Sequence, residues 1–220
     1  MAEPLIVTID GPAGVGKSTM AKRLARELSI PYLDTGAMFR AVAWKLGEGA
    51  WEWDEARLDT ALRGFDFSLS GSGDQSVLSL NGVPIGDEIR TEQVAMWGSN
   101  VATLPVVRSN LKRAQQMLGA RFSLVAEGRD MGTVIFPAAK RKFFLDASVE
   151  ERARRRFLQL EALGKPADEN DLREQIARRD AQDRNRAVAP LKAADDAVTI
   201  DTTVLSPDEV FQTLLDGVNV

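Results

Sequence analysis

Eight residues near the start, Gly11-Pro12-Ala13-Gly14-Val15-Gly16-Lys17-Ser18, carry the spacing G-x-x-x-x-G-K-[ST]. Glycines at these positions let the backbone wrap a phosphate with its N–H groups converging. The N-terminus of a following helix adds partial positive charge. Lys17 can then reach the β- and γ-phosphates of a nucleoside triphosphate, and the Ser18 hydroxyl can ligate Mg²⁺; Thr19 continues the run. The bland alternative is an ordinary glycine-rich turn. Its setting argues against that, because Leu5 to Ile9 reads as a buried strand and Met20, Ala21, Leu24, Ala25 and Leu28 share one helical face. The motif specifies a triphosphate and not its use.

A second group of residues is arginines placed beside acids. Gly128-Arg129-Asp130 follows an apolar run, and Asp34-Thr35-Gly36, with Arg40 one turn later, follows another. Leu172 and Ile176 begin a helical stripe that Arg179, Asp183 and Arg186 continue at 100° per residue, so the inward side turns from apolar to charged. Arg152, Arg155 and Arg156 line one flank of a helix whose apolar face is Val149, Ala153, Phe157 and Leu160. A guanidinium grips phosphate with two parallel hydrogen bonds and stays charged at any working pH. Arginines gathered opposite a phosphate loop imply a second, phosphate-bearing substrate. The rival reading is an internal Arg-Asp network; for Arg154 and Arg173 a solvated, salt-bridged surface is favoured.

Composition narrows the chemistry. The chain has 220 residues with neither Cys nor His, which excludes a thiol nucleophile, a zinc finger, a Ser-His-Asp triad and a zinc-clamped lid. Any metal must rest on oxygen ligands, which points to Mg²⁺ or Ca²⁺. Phosphoryl transfer to an acceptor that is itself a phosphate needs no general base, which suits such a chain. It needs charge screening and a way to exclude water, for which an arginine-bearing lid around 152–168 is suited. The formal net charge is −4, against a nucleic-acid binder. No apolar run spans a membrane and no signal peptide is evident, so the expectations are a cytoplasmic protein, without membrane or nucleic-acid partner, and a monomer.

The elements that must position these groups read as an α/β fold. Strands are expected at 5–9, 31–33, 123–126, 142–145 and 198–201, alternating with helices, hence a five-stranded parallel sheet covered on both sides. Between them, 62–90 reads as a small antiparallel insert with Asn81-Gly82 as a hairpin turn. Helices are expected at 35–46, 91–103, 105–118, from Ser148 to about 163 behind a capping box with Glu151, and at 169–187. Ser206-Pro207 opens a last helix.

Six stretches, in order through nearly the whole chain, resemble the bacterial cytidylate kinases, a family of nucleoside-monophosphate kinases. They are Ile9 to Ser18, Leu33 to Met38, Gly86 to Thr91, Glu127 to Pro137, Phe144 to Ala147 and Asp183 to Pro190. The resemblance implies a core of 1–36, 104–151 and 169–220, an NMP-binding domain of 37–103 with the insert, and a lid of 152–168. It implies transfer of the γ-phosphoryl group of MgATP to CMP or dCMP. Gly11, Pro12, Ala13, Gly14, Val15, Gly16, Lys17, Ser18 and Thr19 would hold ATP. Ser99, Arg108 and Asp130 would read cytosine, Asp183 with Arg179 would hold the ribose, and Arg40, Arg129 and Arg186 would hold the CMP phosphate, with Thr35 lining the pocket. Lys17, Arg129, Arg186 and the lid candidates Arg152, Arg155 and Arg156 would assist transfer. Two positions depart from the family pattern: Phe39, where Tyr is common, and Glu127, where Asp is frequent. The alternatives are a UMP- or AMP-specific kinase of the same fold, or a non-kinase P-loop NTPase coupled to nucleic acid.

Overall fold

The computed structural model describes residues 3–219. In chain order the elements are β1 (Ile6–Asp10), α1 (Lys17–Glu27), β2 (Tyr32–Asp34), α2 (Thr35–Leu46), α3 (Glu55–Leu62), β3 (Phe67–Ser70), β4 (Val77–Leu80), β5 (Val83–Pro84), α4 (Glu92–Val101), α5 (Pro105–Arg121), β6 (Leu124–Gly128), β7 (Arg141–Asp146), α6 (Val149–Ala162), α7 (Glu169–Asn185), β8 (Val198–Asp201) and α8 (Pro207–Asn219). A five-stranded parallel sheet has the order β2-β6-β1-β7-β8, and a separate antiparallel sheet the order β3-β4-β5. The interior strands β1, β6 and β7 read as apolar runs because they are covered on both faces, β6 along its whole length, whereas the edge strand β8 buries only Ile200.

The chain divides into two compact units, one made of Met1–Ile6 and Ala25–Glu127, the other of Val7–Leu24 and Gly128–Val220. In the first, β2 and β6 pair in parallel with Asp34 opposite Glu127. The antiparallel sheet alternates as its sequence does: Phe67 and Leu69 are buried while Ser68 and Ser70 are exposed. Asn81 and Gly82 both take positive φ, as a two-residue hairpin turn of the I′ type requires. Helix α2 is capped by the Asp34 side chain, which accepts from the Ala37 N–H. Helix α4 lies close against it at Gly98, where a Cβ would come within 3.0 Å of Arg40 Cγ.

In the second unit β1, β7 and β8 pair in parallel. Gly11 has φ +148°, and a Cβ there would stand 2.1 Å from the Leu145 carbonyl oxygen of β7, so only glycine can turn the chain out of β1 at this point. The expected capping box at Ser148 forms by half. Ser148 Oγ accepts from the Glu151 N–H, but the Glu151 carboxylate turns to Arg154 and Arg155, and the Ser148 N–H donates to Thr203 Oγ1 instead. The reciprocal box forms at α8, where Ser206 N–H donates to Glu209 Oε2 and Glu209 N–H to Ser206 Oγ. Helix α7 ends two residues earlier than the pattern predicts, with Arg186 already extended. Helix α3, capped by Asp54 and burying Leu58 and Leu62, has no counterpart in the sequence reading.

Candidate active site

The phosphate loop joins β1 to α1 within the second unit, and Lys17 is the first residue of the helix. Lys17 is buried and its Nζ donates to the Pro12 carbonyl at 2.6 Å, so the ammonium lies folded over its own loop. Ser18 and Thr19 are exposed on the first turn of α1.

Directly before the loop, the Asp10 carboxylate is buried and accepts two backbone N–H groups, from Met131 and Gly132, at 2.8 Å each. These two residues open a π-helical turn, Met131–Ile135, that follows Arg129 and Asp130. One side chain therefore fixes the phosphate-loop strand to the segment bearing Arg129. Helix α7 adds the rest of a charged cluster. Arg129 Nε donates to Asp183 Oδ2 at 2.9 Å, and Arg186 lies 3.7 Å from Asp183 and 3.9 Å from Asp130. Burial pushes the Asp183 carboxyl up, but the guanidiniums of Arg129, Arg179 and Arg186 outweigh it and hold the group below the ordinary carboxylate range. Arg129, Asp130, Arg179, Asp183 and Arg186 are thus brought together. Arg186 does not continue the α7 stripe, because it has left the helix; its guanidinium turns back onto the Ala189 carbonyl, and Ala189 takes φ +52°.

The arginines of α6 divide by depth. Arg152 is 2% exposed and spends three donors inside the protein: Nε on the Ala147 carbonyl at 3.0 Å, Nη1 on the Ala13 carbonyl at 3.1 Å and Nη2 on Asp180 at 2.5 Å. Arg155 is half-buried, bonded to Glu151 and to the Thr202 hydroxyl and carbonyl. Arg156 donates to Gln159 at the surface. Glu151 is held down to about 2 by its hydrogen bonds with Arg154 and Arg155.

In the first unit the expected base- and phosphate-binding residues sit on α2, α4 and α5. Thr35 is buried and donates to the Glu127 carbonyl. Arg40 pairs with Asp34 at 3.0 Å, while its Nε is buried without a hydrogen-bond partner, a donor held in reserve. Ser99 is half-buried on α4. Arg108 is buried, donates to the Ala102 carbonyl at 3.2 Å, and has its guanidinium 5.5 Å from the Phe39 ring centroid. The ring at position 39 therefore meets Arg108 through its face, a contact that needs no hydroxyl. The longer Glu127 side chain is buried and accepts from the Tyr32 hydroxyl.

The family description "Cytidylate kinase" matches residues 7–220. The chain belongs to the cytidylate kinase family. Curated relatives of that name include one from Maridesulfovibrio salexigens, 64% identical over 98% of this chain and 96% of its own length, and one from Oleidesulfovibrio alaskensis, 61% identical over 98% of each. A cytidylate kinase from Vibrio cholerae is 45% identical over 96% of this chain and 94% of its own. Among solved structures, that of TT1252 from Thermus thermophilus shares the fold at a TM-score of 0.50 and 18% identity, covering 99% of this chain and 97% of that one.

For this cytidylate kinase family member, sequence reasoning passed over two buried carboxylates that hold the surroundings of the phosphate loop and the charged cluster. Asp180 is buried beside Arg179, and the clue was available: it stands one turn before Asp183 on the same stripe. Asp10 gave no clue, since its partners are backbone N–H groups far along the chain. Burial, against the two N–H donors and with Asp130 nearby, pushes the Asp10 carboxyl up to about 6. A raised acid binds its proton more tightly folded than unfolded. Its stabilising share is complete below its ordinary pKa, near 4, and is lost as pH rises through about 6. Urea unfolding of the protein and of Asp10→Asn, each at about pH 4 and about pH 7, checks this: the original chain loses on the order of 2–3 kcal/mol relative to the variant over that interval. Parallel pH profiles would refute it.

Proposed function

We propose that this enzyme transfers the γ-phosphoryl group of ATP to CMP, giving ADP and CDP, and that dCMP is accepted as well. The observation that carries this is the second unit's charged cluster. The two segments most specific to the family, around Arg129 and Asp183, meet in an ion pair, and Asp10 ties the same segment to the phosphate loop. We assign the CMP phosphate to Arg129 and Arg186 with Arg40, the ribose to Asp183 with Arg179, and the base to Asp130, Arg108 and Ser99, with Thr35 lining the pocket. The phosphate loop with Lys17 holds ATP. The Lys17 ammonium has three donors, so it can meet phosphate oxygens while one donor stays on the Pro12 carbonyl.

The chemistry follows from charge. A monophosphate acceptor is ionised near neutral pH, so the barrier is repulsion between two anions and not removal of a proton. Arginines aimed at the transferring group lower it, and Arg155 and Arg156 are the candidates on α6 whose heads are least enclosed. The oxygen-only donors of this chain fit Mg²⁺: the exposed Ser18 hydroxyl would be its protein ligand beside phosphate oxygens and water. When bound, the ion screens the triphosphate charge. Against UMP, a carboxylate at Asp130 would face the uracil carbonyl where cytosine offers an amine. An unpaired buried acceptor costs roughly 1–3 kcal/mol, tenfold or more in selectivity.

ADP release with MgATP and CMP, dCMP, UMP or AMP as sole acceptor tests the reading. Turnover with CMP and dCMP, and at least tenfold less kcat/KM with UMP and AMP, is the expected result. Preference for UMP or AMP would overturn the base assignment, and nucleic-acid-stimulated hydrolysis without acceptor turnover would overturn the reaction.

A further inference from the structure

Arg152 stands out among the cations of the second unit because it is spent entirely inside the protein. It is one of the largest fully enclosed side chains, and it joins three separate pieces of chain: the start of α6 through the Ala147 carbonyl, the phosphate loop through the Ala13 carbonyl, and α7 through Asp180. A buried guanidinium is costly unless its donors are met, and here the acceptors that meet them come from three pieces of chain, which ties those pieces together. Its contact with the loop is directional. In a trans peptide the C=O and the following N–H point opposite ways, so a guanidinium holding the Ala13 oxygen on one side turns the Gly14 N–H to the other. N–H direction is what a phosphate loop uses to bind. The stem also packs on the loop: a Cβ at Gly14, where φ is +83°, would lie 3.3 Å from Arg152 Cβ.

The other end of the bridge lies on the helix assigned to CMP. Asp180 follows Arg179 directly and lies one turn before Asp183, so α7 cannot shift its two ribose-assigned residues without moving Asp180. Asp180 uses only Oδ2 on Arg152; its Oδ1 is buried with no hydrogen-bond partner. A carboxylate with one oxygen unmet is held by Arg152 alone and has an acceptor to spare when α7 moves.

We propose that Arg152 and Asp180 are positioning residues that couple the phosphate loop to α7, so that nucleotide at the loop and CMP at the helix raise each other's affinity. This rests on the CMP assignment above. Because coupling free energy is reciprocal, either ligand can report it.

The test is calorimetric titration of CMP with and without a β,γ-imido analogue of ATP, on the full chain and on Asp180→Asn and Arg152→Lys. Asp180→Asn keeps the volume and one acceptor but leaves the buried Arg152 charge uncompensated, so circular dichroism and thermal unfolding of each variant accompany the titrations, which are made well below its unfolding temperature. For the original chain the analogue should tighten CMP at least about fivefold, the lower end of ordinary allosteric coupling. In both variants the factor should fall below about twofold, while Asp180→Asn binds the analogue alone within about threefold of the original. A wild-type factor retained in Asp180→Asn, or no coupling in the original chain, overturns the proposal. Failure of the original chain to bind CMP under any condition overturns the CMP assignment as well, and so is distinguishable from failure of the coupling alone.

Discussion

Replacing Arg129 by alanine lowers kcat/KM for CMP by roughly 10²–10³, the loss seen when one charge-assisted donor to a transferring group is removed. The side chain is poised for this by its partner. Asp183 engages only Nε, at 2.9 Å, and the Gly128 carbonyl makes a long contact of 3.4 Å with Nη1. The guanidinium is thus anchored through Nε, and its two Nη groups form the fork that bidentate phosphate recognition needs. The same substitution leaves Asp183 with Arg179 and Arg186 as remaining cations, and stability falls by about 1–3 kcal/mol. Arg129→Lys separates the two effects: it keeps the charge near Asp183 and restores most stability, but it cannot reproduce the fork and recovers only part of the rate. The measurement is steady-state kinetics beside thermal unfolding for both variants. Near-normal turnover in Arg129→Ala would remove Arg129 from the phosphate site.

What the sequence made legible follows the range of the signal. Strands β1, β2 and β8 and helix α2 lie within a residue of their expected bounds because each is an apolar run or stripe closed by a strong local marker, such as Asp34 capping α2. Helix α3 was invisible because eight residues with only two buried leucines barely form a stripe. Strand β6 runs on through Glu127 and Gly128, where a buried carboxylate breaks the apolar pattern without breaking the strand; its Tyr32 partner is remote in sequence. The π-helical turn after Asp130 depends on Asp10 taking its first N–H groups, and no residue type there announces it. In the site, side-chain pairs such as Arg129 with Asp183 were readable as charge in an apolar place. Arg152 was readable as a cation but not as a bridge, because two of its three acceptors are backbone carbonyls and every residue has one. Spacing alone placed Arg186 on the α7 stripe, and the turn onto Ala189 moved it to the cluster by another route.

The absence of histidine gives these charges a common property. Every cation in the second unit's cluster is an arginine, whose charge does not titrate in the working range. Asp183 is held ionised by them, so the cluster's charge pattern is constant across neutral pH. Asp10 is the exception, with its carboxyl pushed up to about 6. Between its ordinary pKa and about 6 the stability response therefore lies with Asp10, on the strand that launches the phosphate loop, whereas the share of Asp183, held below the ordinary carboxylate range, is lost only as pH falls into the acid range.

Asp183→Ala carries the second large effect, and its interest lies in the difference between two substrates. The carboxylate is buried, ionised and acceptor-only, so a ribose hydroxyl can meet it only as a donor. CMP offers a 2′-hydroxyl that dCMP lacks. Removing the carboxylate takes away that acceptor and also leaves Arg129, Arg179 and Arg186 crowded without their shared counter-charge, which displaces Arg129 from the position fixed by its Nε bond. The second loss is common to both substrates and sets a fall in kcat/KM of roughly 10²-fold for each. The first applies to CMP alone and adds roughly tenfold, the worth of one hydrogen bond to a charged group. Asp183→Asn keeps an acceptor oxygen but removes the counter-charge, so it should show the common loss with the CMP-specific part reduced. Parallel kinetics on CMP and dCMP for both variants read these terms directly. Equal losses on the two substrates would place Asp183 as a partner of Arg129 only and move ribose recognition elsewhere.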